Sequence, residues 1–225
     1  MSTKASYFDY FFLILLSAIW GSSFLFIKIS IETIPASLLT FIRLFVASVF
    51  LIIYLKLKTN HNLLDFRNLK EIFIISVLGN IVPFNLIGWS EKYVDSVIAA
   101  ALIGTMPLFT FVIAHFHKSG EKLNLKIIFG LAIGFCGMCI IINNNFYEDK
   151  QRYDLIDVSN VLIILAAICY ALSANLIKKI KNISPIQIST SSCIVATFLS
   201  LPVFFIFNFN SNEDVKDILI GISRE

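Results

Sequence analysis

The chain has 225 residues, 57% of them hydrophobic and only 15% charged, with 22 phenylalanines and a formal net charge of +3. So much apolar surface cannot be hidden in the core of one soluble domain of this size, which excludes a water-soluble globular protein. The positive balance sits in a collar of loop lysines and arginines between apolar stretches, so it does not make a nucleic-acid surface.

Crossing roughly 30 Å of hydrocarbon takes about 20 apolar residues. Seven stretches meet that length: residues 10–27, 34–55, 72–90, 96–116, 123–142, 158–177 and 186–207. The first is too long for a signal-peptide core and lacks a small-x-small cleavage site, so it reads as a retained helix. Residues 218–223 begin to look like an eighth span, but six residues cannot cross a bilayer. The expected fold is therefore all-α, a polytopic membrane bundle of seven helices plus a partial eighth.

Taken in order, the spans differ in what interrupts them. The first carries Trp20 near its middle. The second carries Arg43, nine residues in, where a charge costs ~2.5–3.5 kcal/mol on insertion scales. Asn80, Pro83 and Asn85 interrupt the third, Thr105 and Pro107 the fourth, and Asn175 the sixth. A proline removes a donor and frees a carbonyl one turn back, which is tolerated in lipid only against protein or a wet cavity. Pro83 and Pro107 thus read as helix-breaking. The fifth span holds Gly130, Gly134 and Gly137, a GxxxG-type packing stripe. His115 and His117, near the end of the fourth, read as interfacial.

Arg43, Asn80, Asn85, Asn175 and Trp20 are the substrate-binding candidates. Arg43 suits a carboxylate or phosphate, and the asparagines suit hydrogen bonds to a polar solute. Alternative roles stand beside these: backbone carbonyls or water satisfying Arg43, polar packing for each asparagine, interface anchoring for Trp20. No Asp or Glu lies at the depth of Arg43, and Glu91 reads as the end of its helix. Cys136 and Cys139 form a CxxC inside an apolar helix without a nearby histidine, which reads as packing and not as a metal site. There is no phosphate loop, metal-ligand cluster or nucleophile–base pair, so no enzyme, metal or cofactor is expected.

Loop charge sets the expected orientation. Eleven Lys and Arg (Lys4, Lys56, Lys58, Arg67, Lys70, Lys118, Lys122, Lys126, Lys178, Lys179, Lys181) fall on one side and five on the other, which predicts a cytoplasmic N-terminus. Lys28, Pro35 and Thr40 recur as Lys178, Pro185 and Thr190, an offset of 150 residues. Because five spans precede the recurrence, the second copy enters from the opposite face, giving an inverted repeat. The expected units are a first five-helix repeat at 10–142, a linker at 143–157 and an incomplete second repeat at 158–225.

Residues 16–28 (LSAIWGSSFLFIK), Arg43 after Pro35, the block AAALIGTMPLFTF with Gly120–Leu123 beyond it, and the glycine-bearing GLAIGFCGMCII resemble, in that order, the first repeat of the EamA-type drug/metabolite transporters. The resemblance implies ten helices in two inverted repeats and transport of small metabolites by a multi-pass inner-membrane protein. Two departures matter. Helices eight to ten of that pattern are missing, and the first span lacks the membrane glutamate of the small multidrug-resistance branch. The expected partners are the lipid bilayer and a small metabolite, with no nucleic acid. A homodimer or a helix-complementing chain is the expected cover for a cavity walled on one side only. The competing readings are a shortened, non-transporting remnant and a seven-helix receptor, the latter expecting an external N-terminus.

Overall fold

In the computed structural model, which describes residues 6–58, 66–116, 129–130, 132–137, 140 and 153–208, apolar sequence without water to bond its backbone folds into helices. All regular structure among the described residues is helical. The helices are α1 (Tyr7–Ser30), α2 (Ala36–Lys58), α3 (Leu69–Ser76), α4 (Val82–Ser90), α5 (Ser96–Ile103), α6 (Met106–Phe116), α7 (Tyr153–Ile177) and α8 (Pro185–Asn208). Six stretches are long and apolar enough to cross a membrane: α1, α2, α3 through α4, α5 through α6, α7 and α8. The fifth expected span lies largely outside the described residues, with helical turns at 129–130 and 132–137. The partial eighth span lies outside them, as does the expected linker up to residue 152, whereas residues 153–157, expected as linker, form the first turns of α7.

Local chemistry explains the breaks. Ser6 opens α1 by donating its N–H to the Asp9 carboxylate at 2.7 Å. Between α3 and α4 the chain widens into a π-turn, Val77–Ile81, whose closing bond runs from the Val82 N–H back to the Val77 carbonyl. Pro83 stands in the first turn of α4 and has no N–H to continue the ordinary ladder, which accounts for a widened turn at this point. Asn85 Nδ2 then donates to the Ile81 carbonyl at 2.8 Å. The fourth span breaks at Gly104–Thr105, where Thr105 Oγ1 donates to the Leu102 carbonyl at 2.6 Å, and Pro107 follows in the first turn of α6.

The core is a chain of small clusters along the helix contacts. Leu44, Ile81 and Ala196 join α2, the π-turn and α8. Ile27, Ile31, Ile87 and Ala166 join α1, α4 and α7. Val94, Ile98, Ala99, Leu102 and Ile163 join α5 to α7. α2 packs most extensively on α8, and α4 on α7. The α2–α8 seam is lined with buried hydroxyls, and Ser48 Oγ lies 2.9 Å from Thr197 Oγ1. Such pairs satisfy polar groups where water is excluded while letting helices approach closely.

Candidate functional site

Helical periodicity puts Asn80, Phe84, Gly88 and Glu91 along one face of the third span. Gly88 marks the level of one end of the bundle, since a Cβ built there would lie 3.0 Å from the Ala36 side chain at the start of α2. Arg43 lies seven residues further along α2, about 10 Å deeper by helical rise. Its guanidinium carbon sits 4.4 Å from the centroid of the Phe84 ring, only one turn from Gly88. Helix side chains lean toward the N-terminus, so Arg43 reaches back from its deep backbone position toward the Glu91 end. A cation over an aromatic face with little water nearby gains about 0.5–2 kcal/mol, which offsets part of the insertion cost.

Two further groups complete the site. Tyr170 of α7 is partly buried beside Ile87 and Ala166 and interacts electrostatically with Arg43. Glu91 interacts with Arg43 from α4 and with Lys28 from α1. Lys28 Nζ donates to the Glu91 and Val94 main-chain carbonyls, the latter at 2.9 Å, and so ties the end of α1 to the turn between α4 and α5. Glu91 is 0% exposed, and neither of its carboxyl oxygens has a hydrogen-bond partner among the described residues. Glu91 stands one residue beyond the membrane stretch Leu69–Ser90, and burial pushes its carboxyl up to about 8 against the opposing pull of Lys28 and then Arg43.

The sequence candidates separate into two groups. Arg43 and Asn80 stand on or beside the α4 face, with Asn80 inside the π-turn. The adjacent Gly79 is pressed against α7, since a Cβ there would lie 2.5 Å from Ser173 Oγ, one turn from Tyr170. Asn175 instead bridges helices, donating to the Thr110 carbonyl at 3.2 Å and the Ala171 carbonyl at 2.9 Å. Asn85 spends a donor on its own helix, as described above. Trp20 is 63% exposed on α1. Pro83 is buried and Pro107 exposed. Gly130, Gly134 and Gly137 have nothing within 4 Å of a built Cβ, so no described helix packs on them. Among the described residues no group of three His, Cys, Asp or Glu could hold a metal.

Phe84, Tyr170 and Glu91 were not singled out by sequence reasoning. The signal for Glu91 was its seven-residue spacing from Phe84, which places both on one face. Reading Glu91 only as a helix end hid that relation, because charge near a span terminus is ordinary and orientation toward the interior depends on neighbours.

Residues 8–143, more than half of the chain, match the model of the EamA-like transporter family. The chain is 27% identical over 197 residues to an uncharacterized transporter of Bacillus subtilis, YoaV, covering 87% of this chain and 66% of that one. It is 30% identical over 201 residues to an uncharacterized transporter of Buchnera aphidicola subsp. Schizaphis graminum, covering 88% and 65%. With the protein PagO of Salmonella typhimurium it shares 28% over 183 residues, covering 81% and 59%. The chain thus spans about two thirds, or a little less, of the length of these relatives. No solved structure matches it.

Proposed function

The chain belongs to the EamA-like transporter family, and we propose that it moves a small polar metabolite with an anionic group, such as an amino acid, across the inner membrane by alternating access. Arg43 carries this reading: a partly buried guanidinium deep in a membrane helix, held on the Phe84 ring instead of by a carboxylate salt bridge. An intramembrane cation with no ion-pair partner among the described residues suits an incoming anion. Asn80, set in a π-turn of the kind often found at functional sites, supplies a hydrogen bond to the same solute. Asn85 and Asn175 hold the helices that wall the site.

The inverted repeat is part of the proposal. Ser48 and Thr197 are 149 residues apart, within one residue of the sequence offset, and they touch. At an offset of 150 the equivalent of Ser48 is Phe198, so Ser48 meets the neighbour of its own equivalent, a contact that a two-fold axis close to this pair would produce. Ser76 Oγ donates to the Ser192 carbonyl in the early part of α8, whereas Gly88, twelve residues along the third span, lies against Ala36 at the start of α2, so α2 and α8 begin at opposite ends and run antiparallel. An axis between antiparallel spans lies in the membrane plane, as inverted repeats require. With the loop-charge bias, this gives a cytoplasmic N-terminus. The open faces of Gly130, Gly134 and Gly137 suit further helices, from a second copy or a complementing chain.

Proteoliposomes carrying the full chain test the substrate role. Amino acids and other small carboxylates are offered to the wild type, Arg43→Gln and Arg43→Lys. The expected result is transport by the wild type, loss in Arg43→Gln at equal membrane insertion, and partial retention in Arg43→Lys. Full transport by Arg43→Gln sinks the role of Arg43.

A further inference from the structure

Among the described residues Glu91 is the one buried carboxyl, and the proposed role of Arg43 gives it no task. Its surroundings are specific. From α1, Lys28 acts on it, but the Lys28 ammonium is committed to the Glu91 and Val94 carbonyls. From α2, Arg43 acts on it from the Phe84 ring, and from α7, Tyr170 acts on Arg43. In the turn that follows, Lys92 and Asp95 are exposed and the Tyr93 ring lies on Trp89, 5.0 Å between centroids. The carboxyl is therefore under the electrostatic influence of two cations, with both oxygens unpartnered among the described residues and the residue fully buried.

A carboxylate so placed is expensive to keep ionised, because nothing bonds its oxygens and no solvent reaches them. A protonated carboxyl removes most of that cost. What favours ionisation is the field of Lys28 and Arg43. An anion arriving beside Arg43 weakens that field and repels a charged Glu91 directly, and both effects favour protonation. Conversely, a neutral Glu91 leaves Arg43 as an uncompensated cation and strengthens its hold on an anion. Linkage makes the two effects equal in size.

We propose that Glu91 is a proton-binding site coupled to Arg43, so that a proton on its carboxyl and an anion beside the guanidinium bind together, each strengthening the other. The proton comes from water and returns to it when the anion leaves; only the carboxyl O–H bond forms and breaks. Anion and proton then travel in the same direction. The anion half rests on the proposed role of Arg43; the proton half stands on the burial of Glu91 and its two unpartnered oxygens.

Infrared spectroscopy of the full chain in lipid nanodiscs follows the protonated carboxyl directly, with the Glu91 band assigned by its loss in Glu91→Gln. The wild-type band is expected to persist to about pH 8. Arg43→Gln should raise its midpoint by about one pH unit, a tenfold change in proton affinity, by removing a nearby cation. Arg43→Lys, which keeps the charge, should leave the midpoint near wild type and so separates charge from misfolding. Acetate and inorganic phosphate serve as anion probes and should raise the midpoint in the wild type but not in Arg43→Gln. A midpoint in the ordinary carboxylate range, or one that Arg43→Gln does not move, overturns the proton site. A midpoint moved by Arg43→Gln but by neither anion supports the proton site and overturns the anion role of Arg43.

Discussion

α1 and α7 would occupy equivalent places in the proposed repeat, and both hold an apolar stretch long enough to cross a membrane. Their surroundings are opposite. Buried residues make up 6% of the α1 span and 33% of the α7 span. α1 presents Phe8, Phe11, Phe12 and Trp20 outward, and only Ile27, near its last turn, is buried. α7 instead buries small residues, Ala166, Ala167, Ala171 and Ser173, against α4, α5 and α6. Lipid tails are as apolar as leucine, so hydropathy cannot separate a lipid-facing helix from a core helix; small residues that admit a neighbour's backbone can. The lesson extends to the site. The packed helix, α7, supplies Tyr170, while α1 contributes only where its last turn is tied down by Lys28.

Four experiments test that contrast, from the largest expected effect to the smallest. Gly79→Leu forces a side chain into the space held by Ser173 Oγ, 2.5 Å from a built Cβ, and should cost about 3 kcal/mol by overpacking. Gly21→Leu on α1, where a Cβ meets nothing within 4 Å, should leave the thermal midpoint in detergent unchanged. Equal losses at both sites would show that α1 is packed like α7. Lys28→Met removes a charged donor from two carbonyls and should cost about 2 kcal/mol, measured in the same melts. A neutral result would mean that α1 is not anchored through this residue.

The third experiment uses pH. Glu91 in the folded protein keeps its proton up to about 8, well above its ordinary value of 4.5, so the folded state binds more protons than the unfolded chain between those limits. Its contribution to stability is therefore full in acid and lost as pH rises through about 8. Wild-type melting temperature should fall over that window, and the fall should be largely absent in Glu91→Gln. The smallest effect is expected for Ser48→Ala, which deletes the 2.9 Å contact with Thr197 at about 0.6 kcal/mol, a typical value for a hydrogen bond between membrane helices. A much larger loss there would make the α2–α8 seam, and not the α4–α7 contact, the mechanical centre of the molecule.

The sequence by itself determined what depends on single segments. Span lengths follow from runs of apolar residues, and the widened turn before Pro83 and the break before Pro107 follow from a missing N–H. The family follows from an ordered series of short motifs. Arg43 was legible as a functional candidate because a charge deep in an apolar run is costly wherever its neighbours are. What only the tertiary structure decided is which faces meet. The Asn175 amide donates to the Thr110 and Ala171 carbonyls, and Trp20 stands on an exposed face, neither of which its own segment could tell. Glu91 resembled a helix end until α1 and α2 brought Lys28 and Arg43 within electrostatic reach of it. The physical reason is common to all three. Helical periodicity assigns a residue to a face, but in a bilayer lipid and protein are equally apolar, so only the packing of one helix against another decides which polar groups share a dry interior.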